Sequence, residues 1–345
     1  MAKRMLITGG CGFIGTNAAL HFDAAGWEVD CIDDFSRSGS RINADFLREK
    51  APKVTIDEID IVRDAEKLRA RITGGTYDAI IHAAAQVAVT SSVTDPLFDF
   101  MTNAMGTMQV LDAARQCERT PIVLFTSTNK VYGGLEHVEV REDATRYVLP
   151  GLPLGVPESM PLDFHSPYGC SKGAADQYVR DWHRIYGVPT VVFRQSCIYG
   201  PHQFGIVDQG WVAYLTMRAR FGKPITIYGD GKQVRDVLHV DDLIAAMEAA
   251  ITHIDTAAGR IYNIGGGAAH TLSIREFVDF IQRRLGGGLA VENGPWRPGD
   301  QKIYVSDIRK AAQDFGWTPR IAFEEGFENM FAWIDENRTE LEKLL

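Results

Sequence analysis

The chain has 345 residues, of which 45% are hydrophobic and 23% charged, a composition typical of a globular protein. Its formal charge of −9 comes from 45 acidic and 36 basic side chains, which argues against a broad surface for nucleic acid or anionic lipid. There is no signal-peptide pattern, and no apolar run approaches the length of about 18 residues that a membrane-spanning helix needs. We therefore expect a cytoplasmic protein without nucleic-acid or membrane partners, in which local cations meet any anionic ligand.

The cysteines give no sign of a disulfide framework or a metal site. There are five of them, an odd number, and no two form a C-x-x-C pair. We expect free thiols, as in a reducing compartment, and no bound metal. The five are Cys11, Cys31, Cys117, Cys170 and Cys197.

Strand-like apolar runs alternate with helical patterns over residues 3–194. This alternation predicts a Rossmann-type α/β fold, in which a doubly wound parallel sheet is covered by helices on both faces. Strands are predicted at residues 4–8, 28–33, 54–59, 79–82, 122–126 and 190–194, and helices at 13–25, 64–72, 97–116 and 167–186.

After residue 200 the alternation becomes irregular. A helix is predicted at 241–250, a short strand at 261–264, a helix at 273–285 and a closing helix from 323. We therefore predict a dinucleotide-binding domain over residues 1–199 and a smaller, mixed α/β substrate-binding domain over 200–345. Residues around 236–265 could cross back to the first domain, and the sequence leaves that possibility open.

A glycine motif joins the first predicted strand to the first helix. Its sequence is Gly9-Gly10-Cys11-Gly12-Phe13-Ile14-Gly15, so free N–H groups at the start of the helix can hold a pyrophosphate. Asp33 ends the second strand 18 residues after Gly15, where a carboxylate can accept hydrogen bonds from both adenosine ribose hydroxyls. This favours NAD over NADP. Arg37, four residues further on, could accommodate a 2′-phosphate and keeps NADP open.

Tyr168 and Lys172 form a candidate acid–base pair. Ser166 is a good helix N-cap and Pro167 a good first helical residue, so the two side chains start a helix and share one face. A lysine ammonium lowers the pKa of a neighbouring phenol, and we expect Tyr168 to act as a general base on a sugar hydroxyl. Thr128, in the hydroxyl run that ends the fifth strand, can bond the same oxygen.

These residues together resemble the extended short-chain dehydrogenase/reductase family, which includes nucleotide-sugar epimerases and dehydratases. The match runs through essentially the whole chain, from the glycine motif to Arg297-Pro298-Gly299-Asp300. The resemblance implies that Asp60 and Ile61 flank the adenine and that Arg235 and Arg297 neutralise substrate phosphate. It implies cofactor contacts from Gly9, Gly12, Phe13, Ile14, Gly15, Asp33, Asp34, Ser36, Arg37, Asp60, Ile61, Ala83, Ala84, Ala85, Asn103, Thr126, Tyr168 and Lys172, and substrate contacts from Gln86, Thr128, Asn129, Lys130, Arg235, Arg297 and Asp300.

Within the family, the residues after Thr128 distinguish the subgroups. Dehydratases carry an Asp-Glu pair there, whereas this chain has Asn129-Lys130. The strings 127–133 and 162–178, together with Asp208-Gln209-Gly210-Trp211, resemble the CDP-paratose 2-epimerase group. The resemblance implies inversion of C2 of a CDP-linked 3,6-dideoxyhexose through a transient 2-ketone. Alternatives are a UDP-hexose 4-epimerase, a 4,6-dehydratase and a non-catalytic NAD-binding module.

The resemblance also implies an assembly. Predicted helices 97–116 and 167–186 carry apolar residues on more than one face, and relatives pair these helices in a four-helix bundle. We expect a homodimer or a higher homo-oligomer.

Overall fold

The computed structural model describes residues 2–207, 209–297 and 299–343. Asp208 and Pro298, which belong to two of the strings named above, lie outside the described residues. The strands are β1 Arg4–Thr8, β2 Glu28–Asp33, β3 Thr55–Glu58, β4 Ala79–His82, β5 Ile122–Thr128, β6 Arg141–Glu142, β7 Tyr147–Val148, β8 Thr190–Gln195, β9 Cys197–Tyr199, β10 Ile225–Tyr228, β11 Val234–His239, β12 Arg260–Ile264, β13 Thr271–Ser273, β14 Val291–Gly294 and β15 Ile303–Tyr304.

The helices are α1 Phe13–Ala24, α2 Ser40–Lys50, α3 Ala65–Gly74, α4 Val89–Thr94, α5 Pro96–Phe100, α6 Gly106–Arg115, α7 Ser166–Tyr186, α8 Trp211–Arg220, α9 Val240–Thr252, α10 Ile254–Ala257, α11 Ile274–Leu285, α12 Arg309–Phe315, α13 Phe323–Glu336 and α14 Arg338–Glu342. A π-helical turn, Met101–Met105, joins α5 to α6, and a 3₁₀ turn, Asn129–Tyr132, follows β5. Among the described residues, no helix has both the length and the apolar character needed to cross a membrane.

The central sheet has seven parallel strands in the order β12-β8-β5-β4-β1-β2-β3. All six strands predicted over residues 3–194 are present in it, and the Rossmann-type prediction is confirmed. Alternation along β1 explains why the sheet is covered on both faces. Met5 and Ile7 are fully buried in one hydrophobic cluster, while Leu6 between them is fully buried in the cluster on the opposite face.

The chain crosses between the two halves of the molecule more than once. Strand β12 joins the central sheet beside β8, and α9 packs against α1. Further on, Ala311, Phe315 and Trp317 are buried in the same cluster as β1. The sheet therefore takes its last strand from residues beyond 200.

The small strands of the second half of the chain, together with helices α8, α11 and α13, form a second layer beside the central sheet. Strands β9, β13 and β15 pair with β11, β10 pairs with β14, and helices α8, α11 and α13 share a core around Phe277 and Phe327. The segment 135–165, which follows β5, is held to the second layer by an ion pair of Arg146 with Glu276 and a 2.5 Å hydrogen bond from Tyr147 Oη to Asp230 Oδ2. The crevice between the layers is where the predicted site residues meet.

Candidate active site

The glycine motif forms a turn that only glycine fits. Gly9 has φ +66°, and a Cβ on Gly15 would lie 2.1 Å from the Gly9 carbonyl oxygen. Helix α1 starts directly afterwards, and its N-cap, Gly12, offers no side chain to the first-turn N–H groups. Those donors, at the positive end of the helix, are available to an anionic ligand. The turn therefore fits the pyrophosphate of a dinucleotide.

The Asp33 carboxylate lies against this turn, to which it is hydrogen-bonded. Its Oδ2 accepts the Cys11 N–H at 3.0 Å and its Oδ1 accepts the Phe35 N–H at 2.9 Å, which fixes the carboxylate at the end of β2. Burial raises the pKa of Asp33, and these two hydrogen bonds oppose that effect. Each oxygen retains a lone pair for a ribose hydroxyl.

The segment after Asp33 carries the other predicted ribose contacts. Asp34 Oδ1 accepts hydrogen bonds from both the N–H and the Oγ of Ser36, which closes a small exposed turn. Arg37 Nη2 donates to Gln209 Oε1 at 2.7 Å, so the guanidinium reaches across the crevice to the second layer. In this structure the Arg37 guanidinium is thus bonded to a residue on the opposite side of the crevice.

The segment after β4 lies beside the glycine turn, and the segment after β3 lies beside the end of β2. A Cβ on Gly9 would lie 2.8 Å from Ala84 N, so the run Ala83-Ala84-Ala85 passes directly beside the turn. Asp60 Oδ1 accepts the N–H groups of residues 62 and 63, and Ile61 is only 6% exposed within the core. Any adenine contact from 60–61 is therefore left to main-chain atoms and the free lone pairs of Asp60.

Tyr168 lies at the start of α7, with its phenol facing Thr128 at the end of β5. Ser166 Oγ accepts the Gly169 N–H at 3.2 Å, the kind of bond expected of a serine at a helix start. The helix begins at Ser166 itself, one residue earlier than predicted, so His165 and not Ser166 is the N-cap residue. Burial raises the pKa of Tyr168 to about 12, and the charge of Asp99 adds to this. A hydrogen bond from the Thr128 side chain acts in the opposite direction.

Lys172 does not bring the pKa of Tyr168 toward neutrality in this structure, where burial keeps that pKa raised. Its Nζ donates instead to the Thr126 carbonyl oxygen on β5 at 2.6 Å and lies 4.2 Å from the centre of the Phe125 ring. The side chain is only 2% exposed, and burial lowers the pKa of Lys172 to about 7. Burial, which the sequence pattern did not reveal, therefore dominates both pKa values.

Two adjoining cavities lie in the crevice. The inner cavity is bounded by Phe13 and Tyr168 on the first layer and by Gln195, Cys197 and Trp211. Its described lining includes tyrosine, serine, threonine and glutamine but no aspartate or glutamate. The outer cavity continues from Cys197 and Trp211 towards Lys130, Tyr228, Arg235, Arg297 and Asp300.

Asn129 and Lys130 follow β5 and form hydrogen bonds with the segment 299–301, which lines the outer cavity. Asn129 Nδ2 donates to Gln301 Oε1 at 3.3 Å, and Lys130 Nζ donates to the Gly299 carbonyl oxygen at 3.3 Å. Burial lowers the pKa of Lys130 to about 8, and the neighbouring Arg235 contributes to this shift. Both residues line the outer cavity, as the substrate-contact prediction requires.

The outer cavity concentrates positive charge in an otherwise acidic protein. Arg235 donates to the Val234 and Gln301 carbonyl oxygens, which fixes its guanidinium at the cavity wall. The Arg297 guanidinium lies 3.7 Å from the centre of the Tyr228 ring and donates to the Val207 carbonyl oxygen at 2.9 Å. With Lys130, these groups form a site suited to a diphosphate.

Gln86, a predicted sugar contact, has its side chain engaged within the protein in this structure. Its side-chain amide closes its own loop, with Nε2 donating to the Ala88 carbonyl oxygen at 2.8 Å and Oε1 accepting the Ala88 N–H. Its main chain exchanges two hydrogen bonds with the Asn103 side chain, at 2.9 and 3.0 Å. Gln86 and Asn103 thus brace the loop behind the site, and neither lines the two cavities.

A comparison with protein families fits this geometry. The family model described as GDP-mannose 4,6 dehydratase matches residues 6–330. The chain belongs to this family of extended short-chain dehydrogenases/reductases. The resemblance stated from the sequence is confirmed, and the family comprises NAD-dependent epimerases and dehydratases.

Relatives within the family include enzymes of different specificity. The CDP-paratose 2-epimerase of Salmonella typhi is 39% identical over 335 residues, covering 96% of this chain and 98% of that protein. The dTDP-glucose 4,6-dehydratase DesIV of Streptomyces venezuelae, solved with NAD and TYD bound, has a TM-score of 0.84 at 29% identity and covers 99% of this chain and 100% of its own. The UDP-glucose 4-epimerase of Thermotoga maritima, solved with UDP-glucose, has a TM-score of 0.83 at 26% identity over 97% of this chain and 99% of its own.

Several residues of the site were not singled out from the sequence. Gln195 is the register partner of Thr128 in the neighbouring strand, and its Nε2 is buried without a hydrogen-bond partner among the described residues. Asp99 and Ser171 form a buried hydrogen bond beside Lys172. The i, i+4 spacing of Asp99 and Asn103 on one helix face was the available sequence signal for this cluster.

Proposed function

We propose that this protein is an NAD-dependent nucleotide-sugar epimerase that inverts C2 of a CDP-linked 3,6-dideoxyhexose, converting CDP-paratose to CDP-tyvelose. The observation that carries the proposal is the lining of the inner cavity. Among its described residues Tyr168 is present and no aspartate or glutamate is. Elimination of a hydroxyl needs a second acid–base group, whereas oxidation and reduction at one carbon need only one.

The cofactor is NAD. The glycine turn leaves the N–H groups at the start of α1 for the pyrophosphate, and Asp33 presents lone pairs to the adenosine ribose. A carboxylate at this position repels a 2′-phosphate, which favours NAD over NADP. Bound NAD supplies a positively charged acceptor that takes a hydride from the sugar carbon and returns it.

Tyr168 moves the proton in both directions. Its Oη takes the proton of the C2 hydroxyl and returns it after the sugar, as a 2-ketone, has turned its other face. Because burial raises the pKa of Tyr168 to about 12, the phenol releases its proton only when further positive charge is present beside it. Thr128, whose side chain lies beside this phenol and opposes the rise in its pKa, orients the shared oxygen.

The outer cavity holds the nucleotide diphosphate. Arg235, Arg297 and Lys130 supply positive charge there, and main-chain carbonyl oxygens fix all three side chains. Anchoring the diphosphate outside the inner cavity leaves the sugar free to rotate about the bonds that join it to the diphosphate. That rotation is what inversion by hydride return requires.

The 39% identity with a CDP-paratose 2-epimerase over nearly the whole chain supports this substrate. A UDP-hexose 4-epimerase would use the same Tyr168 on a differently placed sugar, and relatives of this kind share the fold. Asn129 and Lys130 disfavour a 4,6-dehydratase because neither can act as a carboxyl group. A non-catalytic NAD-binding module does not account for the paired Tyr168 and Lys172.

The test is proton NMR of CDP-paratose deuterated at C2, incubated with purified protein without added cofactor and again with NAD. Deuterium retained at C2 of a CDP-tyvelose product is the expected result, since hydride leaves and returns at the same carbon. The matched control is Tyr168→Phe, which removes only the hydroxyl and should slow turnover by about 10² to 10⁴-fold. Unchanged CDP-paratose in both incubations would refute the substrate, and a C4 epimer formed from a UDP-hexose would establish the alternative.

We also propose a cytoplasmic homodimer. Large apolar side chains are exposed on α5 and α7, including Leu97 at 69%, Ile185 at 65% and Tyr186 at 51%. Helices α5 and α7 pack together, and these side chains lie along the exposed surface of the helix pair. A second copy of the chain would cover it.

A further inference from the structure

A buried carboxylate, Asp99, lies behind the Tyr168/Lys172 helix without a role in the function proposed above. It is fully buried at the end of α5. Its Oδ2 accepts a hydrogen bond from Ser171 Oγ, and its Oδ1 accepts one from Asn103 Nδ2 at 3.1 Å. Two oxygens that both accept hydrogen bonds suit an ionised carboxylate.

Lys172 is buried with few polar contacts. Its Nζ donates to the Thr126 carbonyl oxygen at 2.6 Å, and the Phe125 ring covers it on another side. Tyr168 precedes it by one helical turn. His82, on β4, also feels its charge and is kept neutral by burial, which lowers the pKa of His82 to about 3. The negative charges that act on Lys172 come from Asp176 and Asp99.

Asp176 is already neutralised by another partner. Arg194 donates to it from Nε at 2.9 Å and from Nη2 at 2.8 Å, and Ser127 Oγ adds a third hydrogen bond at 2.7 Å. Arg194 and Asp176 are both buried, so they form a neutral pair within the core. Asp99 is therefore the carboxylate whose negative charge is available to balance the positive charge of Lys172.

We propose that Asp99 is a positioning residue that holds Lys172 in its ammonium form and thereby sets the pH range in which the Tyr168/Lys172 pair works. Asp99 touches neither cavity and acts through the field of its charge and through Ser171, which lies between Tyr168 and Lys172 in sequence. Its negative charge favours the protonated form of both groups, and both pKa values contain this contribution. Removing the charge must then lower both.

The experiment compares Asp99→Asn with Asp45→Asn. The second variant makes the same change in net charge at an exposed position on α2. The first readout is the titration of Lys172 by ¹³C NMR of protein labelled at lysine Cε, with Lys172→Met assigning the signal. We expect the titration midpoint, about 7 in the unsubstituted protein, to move to lower pH in Asp99→Asn and not in Asp45→Asn.

The second readout is the pH profile of kcat, which rests on the proposed function. The high-pH limb, on which Lys172 loses its proton, should move to lower pH in Asp99→Asn, lowering activity at pH 7.5 relative to pH 5.5 by about sixfold for a midpoint moved from about 7 to about 6. A merely structural role would lower kcat at every pH without moving the limb. Asp99→Ala, which adds no new hydrogen-bonding group, is measured in parallel and should shift in the same direction.

The two readouts separate the two proposals. A Lys172 midpoint that is unchanged in both Asp99 variants overturns the role of Asp99, whatever the substrate. A lowered midpoint without turnover of CDP-paratose supports the role of Asp99 and refutes the proposed substrate.

Discussion

Replacing Lys172 by methionine should remove activity and yet stabilise the fold. Methionine has a similar length and no charge, so it fits the space between Phe125 and the end of β5. The same burial that lowers the pKa of this lysine makes its charged form unfavourable in the folded chain. Function and stability are therefore opposed at this position.

The magnitude follows from the pKa of Lys172, which burial lowers from 10.5 to about 7. At about 1.4 kcal/mol per tenfold change in equilibrium, the charged form costs the folded state about 5 kcal/mol. Methionine also leaves the Thr126 carbonyl oxygen without its donor, which costs about 1–3 kcal/mol. We therefore expect Lys172→Met to raise the free energy of unfolding by about 2–4 kcal/mol at pH 6.

The gain should depend on pH in a defined direction. Below pH 7 the lysine is charged in both the folded and the unfolded chain, so the full cost is present. Between pH 7 and 10.5 the folded chain has lost the proton and the unfolded chain keeps it, so the cost shrinks as the pH rises. Above pH 10.5 both states are neutral and the advantage of methionine is gone.

Urea unfolding of both proteins at pH 6, 7, 8 and 9 measures this difference directly. Lys223→Met, at an exposed lysine, is the control and should show no such pH-dependent difference. A Lys172→Met protein less stable than the unsubstituted one at pH 6, or a stability difference independent of pH, would refute the reasoning about the buried charge.

Two further predictions concern the cofactor turn and the assembly. Gly15→Ala places a Cβ 2.1 Å from the Gly9 carbonyl oxygen, so it should destabilise the fold by about 1–3 kcal/mol and weaken NAD binding at least about tenfold by calorimetry. Gly74→Ala, with no atom within 4 Å of the new Cβ, is its control, and equal NAD affinity in both variants would contradict the role of the turn. Leu97→Asp should give a monomer in sedimentation velocity, whereas Val291→Asp, at an exposed position on β14, should not; an unchanged oligomer in Leu97→Asp would place the interface elsewhere.

The amino-acid sequence by itself determined the features that depend on neighbouring residues. Runs of apolar residues located β1, β2 and β4 at their observed bounds, and the glycine motif located the turn before α1. Ser166 and Pro167 marked the start of the helix that carries Tyr168 and Lys172. Periodicity, turn residues and capping involve only residues that are close together in the chain. They can therefore be recognised in the amino-acid sequence without the structure.

Other features were decided by contacts between distant segments. The predicted helix 97–116 is interrupted by a π-helical turn at Met101–Met105, and the strand at 260–264 completes the central sheet beside β8. The side chain of Gln86 is used by its own loop, which no motif predicts.

The same holds for the electrostatics of the site. The i, i+4 spacing predicted that Lys172 would lower the pKa of Tyr168, but burial raises the pKa of the phenol and lowers that of the lysine. Desolvation depends on everything packed around a group, such as Phe125 against Lys172, and the charge of Asp99 acts on Lys172 from another helix. Spacing along the chain determines which groups can meet, and the tertiary structure determines the charges that they carry when they do.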